Sequence, residues 1–271
     1  MKRTALLSAF LVVGAVFAAG SASASHSWLD LHWARTSNPF TLRLGDNVSS
    51  SWDSYLATAS TDWSKSSVLD TAIVAGQGVN GALCLPTSGR VEVCNASYGN
   101  TGWLGIAQVW ADGSHITQAR VAVNDTYFRK KPYNTAAWKR YVMCQEVGHA
   151  FGLDHQNETS TNANLGSCMD YTNDPDGGSG GAVSNDPSNE HPNQHDYDQL
   201  EAIYAHTDSF NSHDTSAPAA PAPNGNGKGS LDDRSQWGRL VSGAAKAGGV
   251  AVFERDLGGG QKLLTFVIWA E

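Results

Sequence analysis

Residues 144–155 read CQEVGHAFGLDH, and this stretch decides the fold and the chemistry that we expect of the chain. On a helix, Gln145 and His149 lie four residues apart and point to the same side. They extend an apolar stripe that includes Trp138 and Tyr141, so we expect them to face inward. Buried polar side chains need partners, and one metal ion would satisfy both of these.

A turn after this helix would bring a third polar side chain to the same point. Gly152 can adopt backbone angles that end the helix and turn the chain back, which brings His155 towards the metal from the other side. Glu146 lies one turn before His149, close enough to act on a metal-bound water without being a ligand. The spacing therefore predicts three metal ligands, Gln145, His149 and His155, beside one general base.

These residues resemble the metzincin signature of zinc peptidases, HExxHxxGxxH, with Gln145 at the position of the first zinc histidine. Downstream, residues 167–171, Ser-Cys-Met-Asp-Tyr, look like the Met-turn, in which the methionine, here Met169, lies beneath the metal. Tyr171 matches the position from which astacin-like and serralysin-like members offer a tyrosine to the zinc. A core tyrosine is the alternative. The resemblance covers roughly residues 28–205.

The resemblance implies an α+β fold: a twisted, mostly parallel sheet of about five strands with an active-site helix and a C-terminal helix. It also implies that residues 104–110 form the edge strand that pairs with extended substrate. The strand and helix patterns agree with this order of elements. They predict strands at 40–44, 68–74, 90–93, 104–110 and 116–123, and helices at about 52–63, 135–149 and 196–204.

The resemblance further implies a secreted zinc endopeptidase that acts on peptide or protein substrates. Zinc lowers the pKa of its bound water to about 7, and Glu146 takes the proton and later returns it to the leaving amine. Tyr171 would stabilise the oxyanion. Gln145 leaves three outcomes open, because a carboxamide oxygen is a weaker zinc donor than imidazole. They are an active peptidase with unusual ligands, a catalytically inactive relative that binds peptides along residues 104–110, and a site for a different metal.

The ends of the chain predict export and an appended segment. Lys2 and Arg3 precede an apolar run that is too short to span a membrane, and small residues follow, so residues 1–24 read as a cleaved signal peptide. We expect a secreted, extracellular protein that does not contact the membrane after cleavage. The remainder divides into a catalytic domain (25–213), a Pro/Ala/Gly-rich linker (214–229) and a C-terminal β-hairpin segment (230–271) that docks on the domain.

Four cysteines in an exported chain favour two disulfides over a four-cysteine zinc site, for which no CxxC spacing exists. Cys84 and Cys94 flank a short segment with turn residues, so a bond between them would close a hairpin. Cys144 and Cys168 are then left for each other. Their disulfide would tie the active-site helix to the Met-turn.

Charge and composition restrict the partners. The chain has 18 basic and 26 acidic residues and no basic run, which argues against nucleic acid as a partner. We expect a monomer.

The loop 157–194 offers oxygen ligands for Ca²⁺, but no spacing matches a known calcium loop, so solvated turns are favoured. His191 and His195 are favoured as surface histidines over replacement zinc ligands. The tryptophans on helical stripes, Trp52, Trp63 and Trp138, are expected in the core rather than at a carbohydrate site.

Overall fold

The computed structural model describes residues 26–77, 83–179, 183–214, 231 and 233–271. The predicted signal peptide and nearly all of the predicted linker lie outside these residues. One sheet dominates the described chain, with strand order β3-β2-β4-β6-β5-β9-β8-β7 and with β1 beside β6. The strands are β1 His32–Trp33, β2 Phe40–Asn47, β3 Leu69–Ala75, β4 Val91–Ala96, β5 Trp103–Asp112, β6 His115–Asn124, β7 Arg239–Gly243, β8 Val250–Gly258 and β9 Gln261–Trp269.

The sheet has a parallel half and an antiparallel half. Strands β1, β2, β3, β4 and β6 pair in parallel with one another. Strand β5 pairs antiparallel with β6, and the C-terminal strands continue the sheet through antiparallel β5–β9, β8–β9 and β7–β8 pairs. The predicted mostly parallel sheet of about five strands is therefore correct for one half only, because the C-terminal segment extends the sheet.

The helices are α1 Asp53–Trp63, α2 Asp125–Phe128, α3 Ala136–His149 and α4 Gln194–Ile203. Helix α3 starts where the sequence predicts, because the Thr135 hydroxyl accepts a hydrogen bond from the Trp138 amide. Asn193 and Asp196 form a reciprocal capping box at the start of α4. No helix among the described residues is long and apolar enough to cross a membrane.

The tryptophans on the helical stripes are core residues, as predicted. Trp52 and Trp63 are at most 1% exposed, and all three of the predicted tryptophans belong to the main apolar cluster. The Trp63 indole also donates a hydrogen bond of 3.1 Å to the Cys144 carbonyl, which ties α1 to α3. Helix α3 is thereby held between α1 and the sheet, with its polar stripe buried.

The expectation that residues 104–110 form a free edge strand is wrong. Strand β5 hydrogen-bonds to β6 on one side and to β9 on the other. The local alternation of residues in β5 predicts a strand but carries no information about its neighbours. The C-terminal hairpin does dock on the main domain, and it does so on the strand that we expected to be free.

Both expected disulfides are present, Cys84–Cys94 and Cys144–Cys168. The second joins α3 to the turn at residues 167–171, which places that turn against the end of the helix. The sulfur of Met169 packs directly on this helix, since a Cβ atom added at Gly148 would lie only 2.5 Å from it.

Gly152 makes the turn that follows helix α3. Its φ of +96° is in the left-handed range, and an added Cβ atom would lie 2.2 Å from the Leu31 carbonyl oxygen. Both the backbone angle and the close approach of another segment therefore require glycine at this position.

Gly152→Ala should lower the free energy of unfolding of the metal-free chain by about 3 kcal/mol, because strain and overlap act together. Gly113→Ala is the matched control, since Gly113 also has positive φ (58°) but open space around it, and should cost only about 1–2 kcal/mol. Chemical denaturation with a chelator present measures both. Equal losses for the two variants would contradict the role assigned to the Leu31 contact.

Candidate metal centre

Two histidine side chains converge at the end of α3. The Nε2 atoms of His149 and His155 lie 3.2 Å apart, and both residues are buried. Two ligands at zinc-bond lengths of about 2.0–2.1 Å in tetrahedral geometry would be separated by roughly 3.4 Å. The spacing of these two nitrogens is therefore that of two ligands on one ion.

Neighbouring acceptors orient both imidazoles. Nδ1 of His149 lies 2.9 Å from the Leu153 carbonyl, so we assign its proton to that nitrogen. Nδ1 of His155 faces Asp154 Oδ1 at 3.5 Å and Glu158 Oε1 at 3.8 Å, which favours the same tautomer. Both Nε2 atoms then carry lone pairs that face each other. A cation between them would convert this repulsion into attraction.

Gln145 lies one turn before His149 and is fully buried. Its Nε2 donates to the Tyr141 hydroxyl at 3.4 Å, and its Oε1 has no hydrogen-bond partner among the described residues. The Tyr141 oxygen also accepts from the Thr172 amide at 3.2 Å, after the Met-turn. Tyr141 thus fixes the carboxamide and leaves its oxygen, the atom able to bind a metal, unpaired.

Glu146 is a buried carboxylate beneath the sheet. Neither of its oxygens makes a hydrogen bond of good geometry with a described residue, and a Cβ atom added at Gly105 would lie 2.6 Å from one of them. Burial raises the pKa of Glu146 well above its usual value, and the nearby backbone of Ala107 offsets only part of this. Burial thus penalises the charged form of Glu146, which a nearby cation would compensate.

Phe266 of β9 covers the centre from the other side. Its ring stacks on the His149 imidazole with centroids 4.2 Å apart and an interplanar angle of 12°. Trp28 packs edge-on against Phe266. Burial, followed by the neighbouring His155, lowers the pKa of His149 well below its usual value. The imidazole is therefore neutral, the form that binds metals.

The structure places the remaining predicted residues around this centre. Met169 is completely buried under α3. Tyr171 is also buried, and burial, followed by the Glu271 and Tyr133 charges, raises the pKa of its hydroxyl. No hydrogen bond or ring contact among the described residues joins Tyr171 to His149 or His155. Tyr171 belongs to the main apolar cluster, and its role at the oxyanion stays a prediction.

The other candidate ligands lie elsewhere. His191 is exposed and pairs with Asp62 at 2.5 Å. His195 is only partly exposed and stacks on His26. Among the described residues, none of the three His/Asp/Glu groups that could hold a metal uses the aspartates of the loop 157–194, and calcium stays a prediction. Asp154 faces His155 and supports it.

The centre fits a zinc ion on the chemistry of its donors. It offers two neutral imidazoles with facing lone pairs, and Gln145, four residues before His149 on α3, has an unpaired buried carboxamide oxygen; zinc accepts both nitrogen and oxygen ligands. A water-binding metal beside Glu146 would also give that carboxylate a partner. This donor set differs from a set of three histidines at Gln145, whose carboxamide oxygen is the weakest zinc donor of the three.

Sequence reasoning missed two functional neighbours. Tyr141 appears in the sequence only as part of an apolar stripe, although its hydroxyl orients Gln145. Phe266 lies in a C-terminal strand that no motif connects with the metal centre. The alternating pattern of residues 263–269 indicates a strand, but only the fold shows that it covers His149.

No protein-family model and no curated protein matches the chain. Among solved structures, the chain is similar to high choriolytic enzyme 1, a hatching-enzyme zinc protease from the medaka fish Oryzias latipes. The identity is 12%, the match covers 64% of this chain and 94% of that one, and the TM-score is 0.35. A likeness at this level carries no conclusion about this chain.

Glu146→Gln should stabilise the metal-free chain at pH 7.5 by on the order of 2 kcal/mol, and the gain should shrink towards pH 4. Because the pKa of Glu146 is raised in the folded state, folding takes up a proton above the ordinary glutamate pKa, so wild-type stability falls as pH rises. Glutamine removes this dependence. Thermal unfolding across pH, beside the exposed control Glu201→Gln, measures the effect, and a pH-independent difference would contradict it.

Proposed function

We propose that the protein is a zinc-dependent endopeptidase, with its centre at His149, His155 and Gln145 and with Glu146 as general base. The observation that supports this best is the pair of imidazole Nε2 atoms 3.2 Å apart, at the end of the helix that also carries a buried carboxylate without a hydrogen-bond partner among the described residues. A group of this kind, two metal donors and a proton acceptor with a raised pKa, suits hydrolysis by activated water. Secretion, implied by residues 1–24, is part of the proposal.

Each residue has a separate task in this proposal. Zinc, when bound, supplies Lewis-acid chemistry that polarises a carbonyl and acidifies water. Glu146 accepts a proton from water and returns it to the leaving amine, and its raised pKa strengthens it as a proton acceptor. Leu153 and Asp154 hold the imidazoles in the binding tautomer, and Tyr141 presents the oxygen of Gln145.

A peptide-binding protein without catalysis is the second candidate, and two observations favour it. Gln145 supplies a weaker donor than histidine, and β5 already holds an extended strand, β9, by backbone hydrogen bonds. Against it stands Glu146, because a buried carboxylate without partners is costly and contributes nothing to peptide binding.

Zinc-loaded protein should cleave an unfolded polypeptide and incorporate ¹⁸O from labelled water into the new C-termini, which mass spectrometry detects. The assay uses the wild type and Phe266→Ala, in which the imidazole of His149 is uncovered. Glu146→Gln and His155→Ala, each placed in both backgrounds, should reduce the rate by roughly a thousandfold or more.

Glu201→Gln, an exposed substitution of the same type, is the control and should leave the rate unchanged.

Gln145→His should tighten zinc binding by roughly tenfold or more in a chelator competition titration. Folded, zinc-loaded wild type and Phe266→Ala that both leave the polypeptide intact would refute the peptidase and favour the binding protein.

A further inference from the structure

Strand β9 lies along β5, the strand that a peptide would pair with in the function proposed above. It runs antiparallel to β5 from the Trp103–Trp269 pair to the Asp112–Gln261 pair. Since β6 occupies the other side of β5, both backbone edges of β5 are used. A substrate peptide that pairs with β5 must therefore take the place of β9.

Phe266 brings this strand to the metal centre. It lies opposite Ala107 on β5, is 1% exposed and stacks on His149 at 4.2 Å. From β9, an aromatic ring and not a peptide group contacts the imidazole. The strand therefore blocks the centre without presenting a bond that the centre can hydrolyse.

The two faces of β9 have different neighbours. Leu264, Phe266 and Ile268 belong to the main apolar cluster with α3, whereas Val267 and Trp269 belong to the second cluster on the opposite face. Only the first face meets the metal centre. Phe266 and Val267 are both 1% exposed, so they form a matched pair of probes.

We propose that β9 is a built-in peptide mimic that keeps the peptide-binding edge of β5 closed, and that substrates compete with it. This rests on the proposed function and extends it to substrate class. The peptides that fit are extended and apolar, and they place an aromatic side chain opposite Ala107, as β9 does. Activity then requires displacement of β9 from β5.

The test compares Phe266→Ala, Phe266→Leu and the control Val267→Ala in the full chain. The probe is a labelled synthetic peptide with the sequence of residues 261–269 and a solubilising lysine tail. Both Phe266 variants should bind it roughly tenfold more tightly than the wild type does and lose zinc to a chelator roughly tenfold faster. Val267→Ala should resemble the wild type in both measurements.

The outcomes separate this proposal from the proposed function. If peptide binding and zinc loss increase in the Phe266 variants without any cleavage, the mimic stands and the peptidase fails. If the Phe266 variants match Val267→Ala in binding and zinc loss, β9 is only a structural strand and the mimic is refuted. Phe266→Leu keeps most of the buried apolar volume, so the comparison holds if Phe266→Ala unfolds.

A second, independent cluster of metal-ligating side chains lies where β1 pairs with the start of β6. His32, His206 and Asp208 place one donor atom each within 4.8 Å of one another. Nε2 of His32 lies 3.2 Å from Nε2 of His206 and 3.5 Å from Oδ1 of Asp208. His115 adds a further imidazole, with Nε2 3.4 Å from the same oxygen.

Surrounding contacts aim these donors at one point. Nδ1 of His32 lies 2.6 Å from the Asp30 carbonyl, so its Nε2 carries the lone pair. Arg35 donates to Oδ2 of Asp208 from its side chain at 2.8 Å and from its backbone at 3.1 Å, which leaves Oδ1 for the histidines. Ligand atoms around a tetrahedral zinc ion are separated by roughly 3.4 Å, close to these spacings.

The geometry points to a second zinc-type cation site formed by His32, His206 and Asp208, with His115 as the fourth donor. Its ligands come from β1, the start of β6 and the segment after α4. A cation there would fasten residues 206–208 to β1. The role that we assign to it is structural.

Zinc content per chain after dialysis, measured by mass spectrometry, tests this site. His206→Gln, a change at a half-exposed residue, should remove one zinc equivalent and lower the melting temperature of the zinc-loaded chain. His155→Ala should remove a different equivalent, so the double variant loses both. His191→Gln, an exposed histidine, is the control. Unchanged zinc content in His206→Gln would overturn the site.

Discussion

The two-sided pairing of β5 is the constraint on which the rest of the centre depends. Helix α3 lies under this strand, and the carboxylate of Glu146 packs where Gly105 leaves room for it. On its open side β5 receives β9, which carries Phe266 onto His149. The polar stripe of α3 is therefore sealed between helix and sheet. Every unusual property of the centre, from the raised pKa of Glu146 to the unpaired oxygen of Gln145, follows from that burial.

The seal is strong. Six apolar side chains of β9 are at most 2% exposed: Leu263, Leu264, Phe266, Val267, Ile268 and Trp269. Each contributes about 1.5–3 kcal/mol of burial, so together they are comparable to the net stability of a domain. The C-terminal segment is thus an integral part of the fold and not an appendage. A peptide that takes its place must offer a similar apolar surface, which is why the edge selects for extended apolar chains.

Local spacing made part of this structure predictable. The polar residues of α3, the glycine turn and His155 are close in sequence, so their geometry follows from helix periodicity and one backbone rule. The cysteine pairs followed from one short segment and elimination. The position of β9 could not be predicted, because its alternation is equally compatible with any sheet edge. The cluster of His32, His115, His206 and Asp208 was missed because three distant segments supply it.

Gln145 argues against catalysis and Glu146 argues for it. Burial decides how much each argument counts. A carboxamide oxygen competes poorly with imidazole in water, but in a site closed to solvent its dipole acts on a cation at low dielectric and counts for more. Glu146 gains nothing from the same closure unless a cation or a proton compensates it, because its oxygens are unpaired in the fold. A scaffold that only bound peptides along β5 would be more stable with an apolar residue at position 146. The carboxylate therefore weighs towards chemistry at the centre, and the closure by β9 is what makes glutamine acceptable as its neighbour.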